Sequence, residues 1–161
     1  MSQQRQITYV AGVDEVGRGP LAGPVIAAAV ILDESRPVTG LRDSKKLSEK
    51  RRRHLSDIIM TNCCSYAFGR AEVDEIDEII IFHASLLSMQ RAVNALSISP
   101  QHALIDGKYA PELTCEVTTI IGGDDREESI AAASIIAKVH RDQEMMQLHE
   151  IYPHYGFDRH K

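Results

Sequence analysis

Three places in the sequence put carboxylates directly after an apolar segment or a glycine turn. They are Asp14 with Glu15, Asp106, and Asp124 with Asp125. An acidic side chain at the end of a buried strand is costly unless it is hydrated, paired or bound to a cation. Ligands bind at strand ends in open α/β sheets. If these carboxylates meet at one sheet edge, their mutual repulsion raises some pKa values unless a divalent ion offsets the charge.

An all-oxygen set of ligands with no suitable histidine or cysteine nearby favours a hard ion, Mg²⁺ or Mn²⁺. Taken singly, each of the three places fits a solvated loop acid or a helix cap better than a metal ligand. The cysteines, Cys63, Cys64 and Cys115, have no zinc-site spacing, and we interpret them as reduced core or strand residues. The seven histidines are scattered along the chain.

The segment from Gly17 to Pro24 contains three glycines and two prolines in eight residues. Such a loop lets the backbone approach a ligand closely while remaining stiff. Arg18, between two glycines, can reach a phosphate or a sugar without steric hindrance. The alternative is a glycine-rich hairpin that carries a solvated arginine.

Strands and helices that could position these residues follow from the apolar pattern. Strands are predicted over residues 7–13, 25–32, 63–69, 103–105 and 116–121. Helices are predicted from the N-cap Ser48 to about residue 60, from about 82 to 96, and from 129 to about 150. The last helix has a buried stripe formed by Ala132, Ile135, Ile136 and Val139. Three early strands followed by alternating helices and strands predict an α/β domain with a mixed sheet.

Length and charge restrict the class of protein further. The 161 residues carry 18 Lys plus Arg against 23 Asp plus Glu. We expect one domain over residues 1–161, because no repeat or linker divides the chain. The longest apolar run, residues 25–32, is far shorter than the roughly 20 residues that cross a bilayer, so we expect a cytoplasmic protein without a membrane partner. The net charge of −5 argues against a histone-like wrapper, but a nuclease remains possible because metal-holding carboxylates count as negative.

Seven basic residues lie between Arg42 and Arg53, against only two acidic ones. Acids dominate the later segment from Glu72 to Glu78, which has five and no base. Charge is therefore distributed unevenly along a chain that is acidic in total.

The run GVDEVGRGPLAGPV at residues 12–25 resembles the signature of ribonuclease HII, the type 2 ribonuclease H. The resemblance continues in LRDSKKL at 41–47, IDG at 105–107 and GD at 123–124. It ends in SIAAASIIAKV at 129–139 and the Arg141-Asp142 pair, so it spans nearly the whole chain in order. It implies the ribonuclease H-like fold, a mixed five-stranded sheet flanked by helices.

The resemblance also implies a site and a reaction. It assigns the family's four acidic positions, as catalytic residues and metal ligands, to Asp14, Glu15, Asp106 and Asp124. Asp125 is then either a solvated neighbour or a minor group behind the ligands. Two divalent ions, Mn²⁺ or Mg²⁺, about 3.5–4 Å apart would activate water and stabilise the leaving 3′-oxygen. Such enzymes hydrolyse the RNA strand of RNA/DNA hybrids and nick duplex DNA 5′ to an embedded ribonucleotide, leaving a 3′-hydroxyl and a 5′-phosphate.

Substrate contacts follow from the same resemblance. Gly17, Arg18 and Gly19 are expected to read the 2′-hydroxyl, which distinguishes RNA from DNA. Ser44, Lys45 and Lys46 are expected to contact phosphates, which position a duplex without selecting the site. The implied partners are an RNA/DNA hybrid or a DNA duplex containing ribonucleotides, and the protein is expected to be a monomer. Arg51, Arg52 and Arg53 fit an ordinary solvated helix face at least as well.

Two features depart from the family pattern. Ile80 stands where family members commonly carry asparagine, and the chain ends at Lys161, before the family's sugar-stacking tyrosine and C-terminal helical region. The second departure leaves an alternative open, a truncated nucleic-acid-binding fragment that is weakly active or inactive. A small-molecule phosphotransfer domain is a third interpretation, but the loop from Gly17 to Gly23 lacks the Gly-Lys-Ser/Thr ending of a P-loop.

Overall fold

The computed structural model describes residues 7–17, 23–41, 44–73, 77–151 and 153–156. The five strands are β1 Val10–Val16, β2 Val25–Ile31, β3 Ser65–Ala71, β4 His102–Asp106 and β5 Glu116–Ile120. The α-helices are α1 Glu49–Asn62, α2 Glu78–Asn94, α3 Gly123–Arg126 and α4 Glu128–Ile151. Short 3₁₀ turns occupy Ser44–Lys46 and Pro153–Tyr155.

The strands form one sheet in the order β3-β2-β1-β4-β5. Strand β2 pairs antiparallel with both β1 and β3, whereas β4 pairs parallel with both β1 and β5. The sheet is therefore mixed and five-stranded, which confirms the fold class that the sequence and the resemblance predict.

Helices pack on both faces of this sheet. Met89, Ala92 and Val93 of α2 pack on one face, against Val13 and Ile105 among others. The other face is covered by α1 and α4. The stripe predicted to be buried on α4, from Ala132 to Val139, is buried in the structure. Strand β2 lies between the two layers and is buried at all seven positions, as expected for a continuous apolar run covered on both sides.

Gly12 allows α4 to lie directly on β1. A Cβ atom at Gly12 would stand 2.1 Å from the carbonyl carbon of Ser129 and 2.3 Å from the backbone nitrogen of Ile130. These distances are far inside van der Waals contact, so only a glycine permits this approach. The contact brings the N-terminal turn of α4 close to the strand that carries Asp14.

Several element boundaries differ from the predictions; β3, for example, is shifted by two residues from the predicted 63–69 to Ser65–Ala71, and the largest differences are in β1 and α2. Strand β1 begins at Val10 and continues through Val16, because its pairing with β2 extends to the Val16–Ile26 pair. Asp14 and Glu15 therefore lie within the strand and not after it. Helix α2 begins at Glu78, before the predicted start, because the Asp77 carboxylate accepts hydrogen bonds from the backbone N–H groups of Ile79 and Ile80.

The start of α1 agrees with the prediction, since the Ser48 hydroxyl caps it by accepting from the Arg51 N–H at 3.3 Å. The three cysteines are free thiols, and Cys63 is buried. In the described ranges, none of the helices combines the length and the hydropathy needed to cross a membrane.

Candidate active site

Two neighbouring parallel strands place Asp14 and Asp106 side by side. Val13 of β1 is in register with Ile105 of β4, so the residues that follow them are also neighbours. Val13 and Ile105 face α2, and side chains alternate along a strand, so Asp14 and Asp106 share the face of α4. Asp14 is only 6% exposed, and its Oδ1 accepts a hydrogen bond from the backbone N–H of Glu15 at 2.8 Å.

The environment of Asp14 disfavours an isolated negative charge. Burial raises the pKa of Asp14 well above its usual range, and the charges of Asp106 and Glu15 raise it further. The Glu15 N–H opposes part of this effect, whereas a side-chain hydrogen bond with Asp106 adds to it. In the absence of a cation, Asp14 therefore holds its proton more strongly than an ordinary aspartate does.

Asp106 is tied to the segment that carries Asp124. Its Oδ1 accepts a hydrogen bond from the backbone N–H of Gly123 at 2.7 Å. Gly123 is the first residue of α3, and Gly122 before it adopts the left-handed conformation, φ +67°. The Asp106 carboxylate thereby satisfies a free N–H at the start of this short helix, and the next residue in the helix is Asp124.

Lys45 lies against the carboxylates of α3. Its Nζ is 3.1 Å from Oδ2 of Asp124 and 3.3 Å from Oδ2 of Asp125. Hydrogen bonds to these two carboxylates raise the pKa of Lys45. The Asp125 side chain is 57% exposed and contacts Lys45, in keeping with either of the minor roles expected for it. The structure places Asp14 beside Asp106, with Glu15 next to Asp14 in β1, and pairs Asp124 with a lysine.

The donor chemistry of this edge fits a hard divalent cation. Asp14, Glu15, Asp106 and Asp124 offer only carboxylate oxygens, which Mg²⁺ and Mn²⁺ prefer. The raised pKa of buried Asp14 marks a place where negative charge lacks compensation. Among the described residues, no three His, Cys, Asp or Glu side chains are already gathered as a ready-made metal cluster.

The glycine-rich loop leaves β1 beside this edge. Gly17 has φ +101° and Gly23 has φ +88°, both in the region that favours glycine. A Cβ at Gly17 would stand 2.6 Å from the carbonyl oxygen of Pro24 and 2.6 Å from Nε of Arg141. Arg18 and Gly19, expected to read the sugar, lie outside the described residues.

Arg141 supports both ends of this loop. It is fully buried, and its Nε donates to the carbonyl oxygen of Pro24 at 3.1 Å. Its guanidinium also lies under Gly23, where an added Cβ would be 3.1 Å from Nη2. No role for Arg141 is predicted from the sequence, where it appears in the Arg141-Asp142 pair of the family resemblance and on a helix rich in apolar residues.

The remaining candidates are placed as follows. The Ser44–Lys46 turn carries the predicted phosphate contacts, of which Lys46 is exposed. Ile80 is 40% exposed on α2, so no buried packing depends on the missing asparagine. Lys138 pairs with Asp142 at 2.9 Å along α4. His140 stacks on Phe68, with ring centroids 4.2 Å apart.

A groove of about 910 Å³ lies elsewhere, near the start of β1 and the N-terminus of α4. Its lining includes Tyr9, Asp33, Arg36 and Ser129, and none of the predicted site residues. The carboxylates lie elsewhere, toward the carboxyl ends of the parallel strands β1 and β4 and on α3.

Comparisons with known proteins agree with this architecture. A family model described as Ribonuclease HII matches residues 11–161. The structure of ribonuclease H2 from Pyrococcus horikoshii OT3 is similar with a TM-score of 0.76 and 28% identity, over 92% of this chain and 79% of that one. The RNase HII of Archaeoglobus fulgidus, solved in a complex with PCNA, gives a TM-score of 0.68 and 28% identity, over 91% and 78%.

A more distant structure shares the fold. Bst-RNase HIII, solved in complex with Mn²⁺, has a TM-score of 0.67 and 23% identity, over 89% of this chain and 55% of that one. At this identity the likeness concerns the arrangement of strands and helices alone.

Proposed function

We propose a specific cleavage activity for this chain, which belongs to the ribonuclease HII family. Members of this family are nucleases of the ribonuclease H type that act on RNA/DNA hybrids. The proposed activity is that the protein also nicks duplex DNA 5′ to an embedded ribonucleotide. The products are a 3′-hydroxyl and a 5′-phosphate. One observation carries the proposal: buried Asp14 and half-buried Asp106 lie side by side on two parallel strands, with Glu15 next to Asp14 in β1 and Asp124 next to the Gly123 that bonds Asp106.

Asp14, Glu15, Asp106 and Asp124 would hold the divalent ions, Mn²⁺ or Mg²⁺, on which we propose that cleavage depends. When bound, such ions supply an activated water and charge stabilisation for the leaving 3′-oxygen. The Mn²⁺ in the Bst-RNase HIII structure supports this choice of ion class. Carboxylates alone are sufficient ligands, so the site needs no histidine or cysteine.

The backbone around the acids fixes their orientation before any ion binds. The Glu15 N–H holds one oxygen of Asp14, and the Gly123 N–H holds one oxygen of Asp106. Both N–H groups stabilise the ionised form of the carboxylate they contact. Pre-oriented ligands lose less entropy when an ion binds, which favours tight metal binding at these two residues.

The glycine loop and the basic turn would bind the substrate. Gly17 has no side chain in the way of a sugar, and the resemblance assigns the adjacent Arg18 and Gly19 to the same task. Ser44, Lys45 and Lys46 would contact phosphates along the duplex, and neutralising them would release counterions. We propose that the protein acts as a monomer, since every residue assigned here belongs to one chain.

A strand-specific nicking assay tests the proposal. The substrate is an end-labelled DNA duplex with one central ribonucleotide, incubated with Mg²⁺ or Mn²⁺, and the control is the same duplex made only of deoxynucleotides. We expect one nick, 5′ to the ribonucleotide, and no cut in the control. Intact ribonucleotide duplex with both ions, or equal cutting of the control, would refute the proposed activity.

A further inference from the structure

Lys45 occupies the place of a counter-ion at the candidate metal site. It comes from the 3₁₀ turn before α1, 80 residues away in sequence from Asp125. Its ammonium nitrogen lies 3.1 Å from Oδ2 of Asp124, the acid that the proposed function assigns to metal. The lysine therefore already neutralises an oxygen that an ion would need.

The ion pair between Lys45 and Asp124 is easily broken. The Lys45 side chain is 63% exposed, so water can solvate its ammonium group as soon as it leaves. Water solvates and salt screens the charges of an exposed ion pair, so such a pair is weak. The other ligands are held differently, because Asp106 accepts from the backbone N–H of Gly123 and not from a mobile side chain.

Asp125 gives the lysine a second partner. Its Oδ2 lies 3.3 Å from Nζ of Lys45, and its side chain is far more exposed than that of Asp124, 57% against 18%. When an ion binds Asp124, Lys45 can still pair with the Asp125 carboxylate. Its ammonium group therefore stays beside the metal site.

We propose that Lys45 is a displaceable counter-ion of the metal site, which holds Asp124 in the metal-free protein and competes with the divalent ion for it. The inference rests on the proposed function, because it takes Asp124 to be a metal ligand. Displacement also frees the Lys45 charge for a phosphate, so metal loading and phosphate binding are coupled through one side chain.

Metal affinity, measured without nucleic acid, tests the competition. Mn²⁺ is titrated into the wild type, Lys45→Met and Lys46→Met, and free Mn²⁺ is followed by its electron paramagnetic resonance signal at low ionic strength. Lys46 is the matched control, because it lies in the same turn, carries the same charge and has no ion pair with these acids among the described residues.

We expect the Kd for Mn²⁺ to fall about fivefold in Lys45→Met, the factor that corresponds to an exposed ion pair of about 1 kcal/mol. Lys46→Met should bind as the wild type does, and the difference should shrink as salt is added because exposed pairs are screened. An unchanged or higher Kd in Lys45→Met, or an equal fall in Lys46→Met, overturns the inference.

Asp14→Asn separates this failure from failure of the proposed function. If Asp14→Asn weakens Mn²⁺ binding but Lys45→Met does not tighten it, the metal site stands and only the counter-ion role is refuted. If the wild type binds no Mn²⁺, or Asp14→Asn binds it equally well, the proposed metal site itself is wrong and the counter-ion role falls with it.

Discussion

Asp14→Asn should make the metal-free protein more stable at neutral pH. Asp14 is buried beside Asp106 and Glu15, so its negative charge is unfavourable in the folded state. Asparagine has nearly the same shape, and its oxygen can still accept from the Glu15 N–H that now bonds Asp14. The substitution therefore removes the charge while keeping the local hydrogen bond.

The size of the gain follows from the repulsion between neighbouring carboxylates. Two unit charges 4 Å apart repel by about 4 kcal/mol at an effective dielectric constant of 20. The wild type avoids part of this cost because Asp14 takes up a proton. We therefore expect the free energy of unfolding of Asp14→Asn to exceed that of the wild type by about 1–3 kcal/mol. For a chain of this length, each kcal/mol raises Tm by roughly 2–4 °C.

The pH dependence has a definite sign. Because the folded-state pKa of Asp14 is raised above 3.8, the folded protein binds a proton that the unfolded chain has released. Stability of the wild type therefore falls as pH rises from about 3.8 through the raised folded-state value. Asp14→Asn lacks this titration, so its advantage should be absent near pH 3.8 and largest at neutral pH.

Thermal unfolding of chelator-treated protein, followed by circular dichroism from pH 4 to pH 8, measures the effect. Asp57→Asn is the matched control, because Asp57 is an exposed acid on α1 outside the cluster. Added Mn²⁺ should raise the Tm of the wild type and leave Asp14→Asn nearly unchanged. If Asp14→Asn is less stable than the wild type at neutral pH, or gains equally at pH 4, the electrostatic reasoning is wrong.

Three further changes probe the framework around the acids. Gly12→Ala should destabilise the fold by about 1–3 kcal/mol in urea unfolding, because its Cβ would stand 2.1 Å from the backbone of Ser129; an unchanged midpoint would contradict that contact. Gly17→Ala, at φ +101°, should lower kcat/KM on a ribonucleotide-containing duplex by up to about a hundredfold, and wild-type kinetics would exclude a constrained loop. Lys46→Ala should weaken binding to ribonucleotide-containing and all-DNA duplexes alike and reduce the salt slope by about one; an effect on one duplex only would point to a role in selection.

Apolar pattern alone predicts most of the fold. Strand β2 and helix α4 each contain a long run of buried apolar residues, and such a run strongly indicates the type of element. The predicted bounds of both elements agree with the observed bounds to within one residue. The early start of α2 depends on the Asp77 cap, and the four residues of α3 are too few to show a helical period. Local side-chain capping and very short helices therefore limit such predictions.

The candidate site also has residues that can be predicted from the sequence and contacts that cannot. Carboxylates that end or interrupt apolar strands can be recognised in sequence, because burying them demands compensation. The partner of Asp124 cannot be recognised in sequence, because Lys45 contacts Asp124 only after the sheet and helices have assembled. The same holds for Arg141, whose contact with Pro24 joins residues 117 positions apart.

The central claim is that Asp14 and its neighbouring acids carry out metal-dependent cleavage. Its most direct test compares single-turnover cleavage and binding by the wild type and Asp14→Asn, on one duplex with a single ribonucleotide and in the presence of Mg²⁺ or Mn²⁺. The account predicts that Asp14→Asn binds the duplex with nearly wild-type affinity and makes no nick. Cleavage retained at the 5′ side of the ribonucleotide by Asp14→Asn would contradict it.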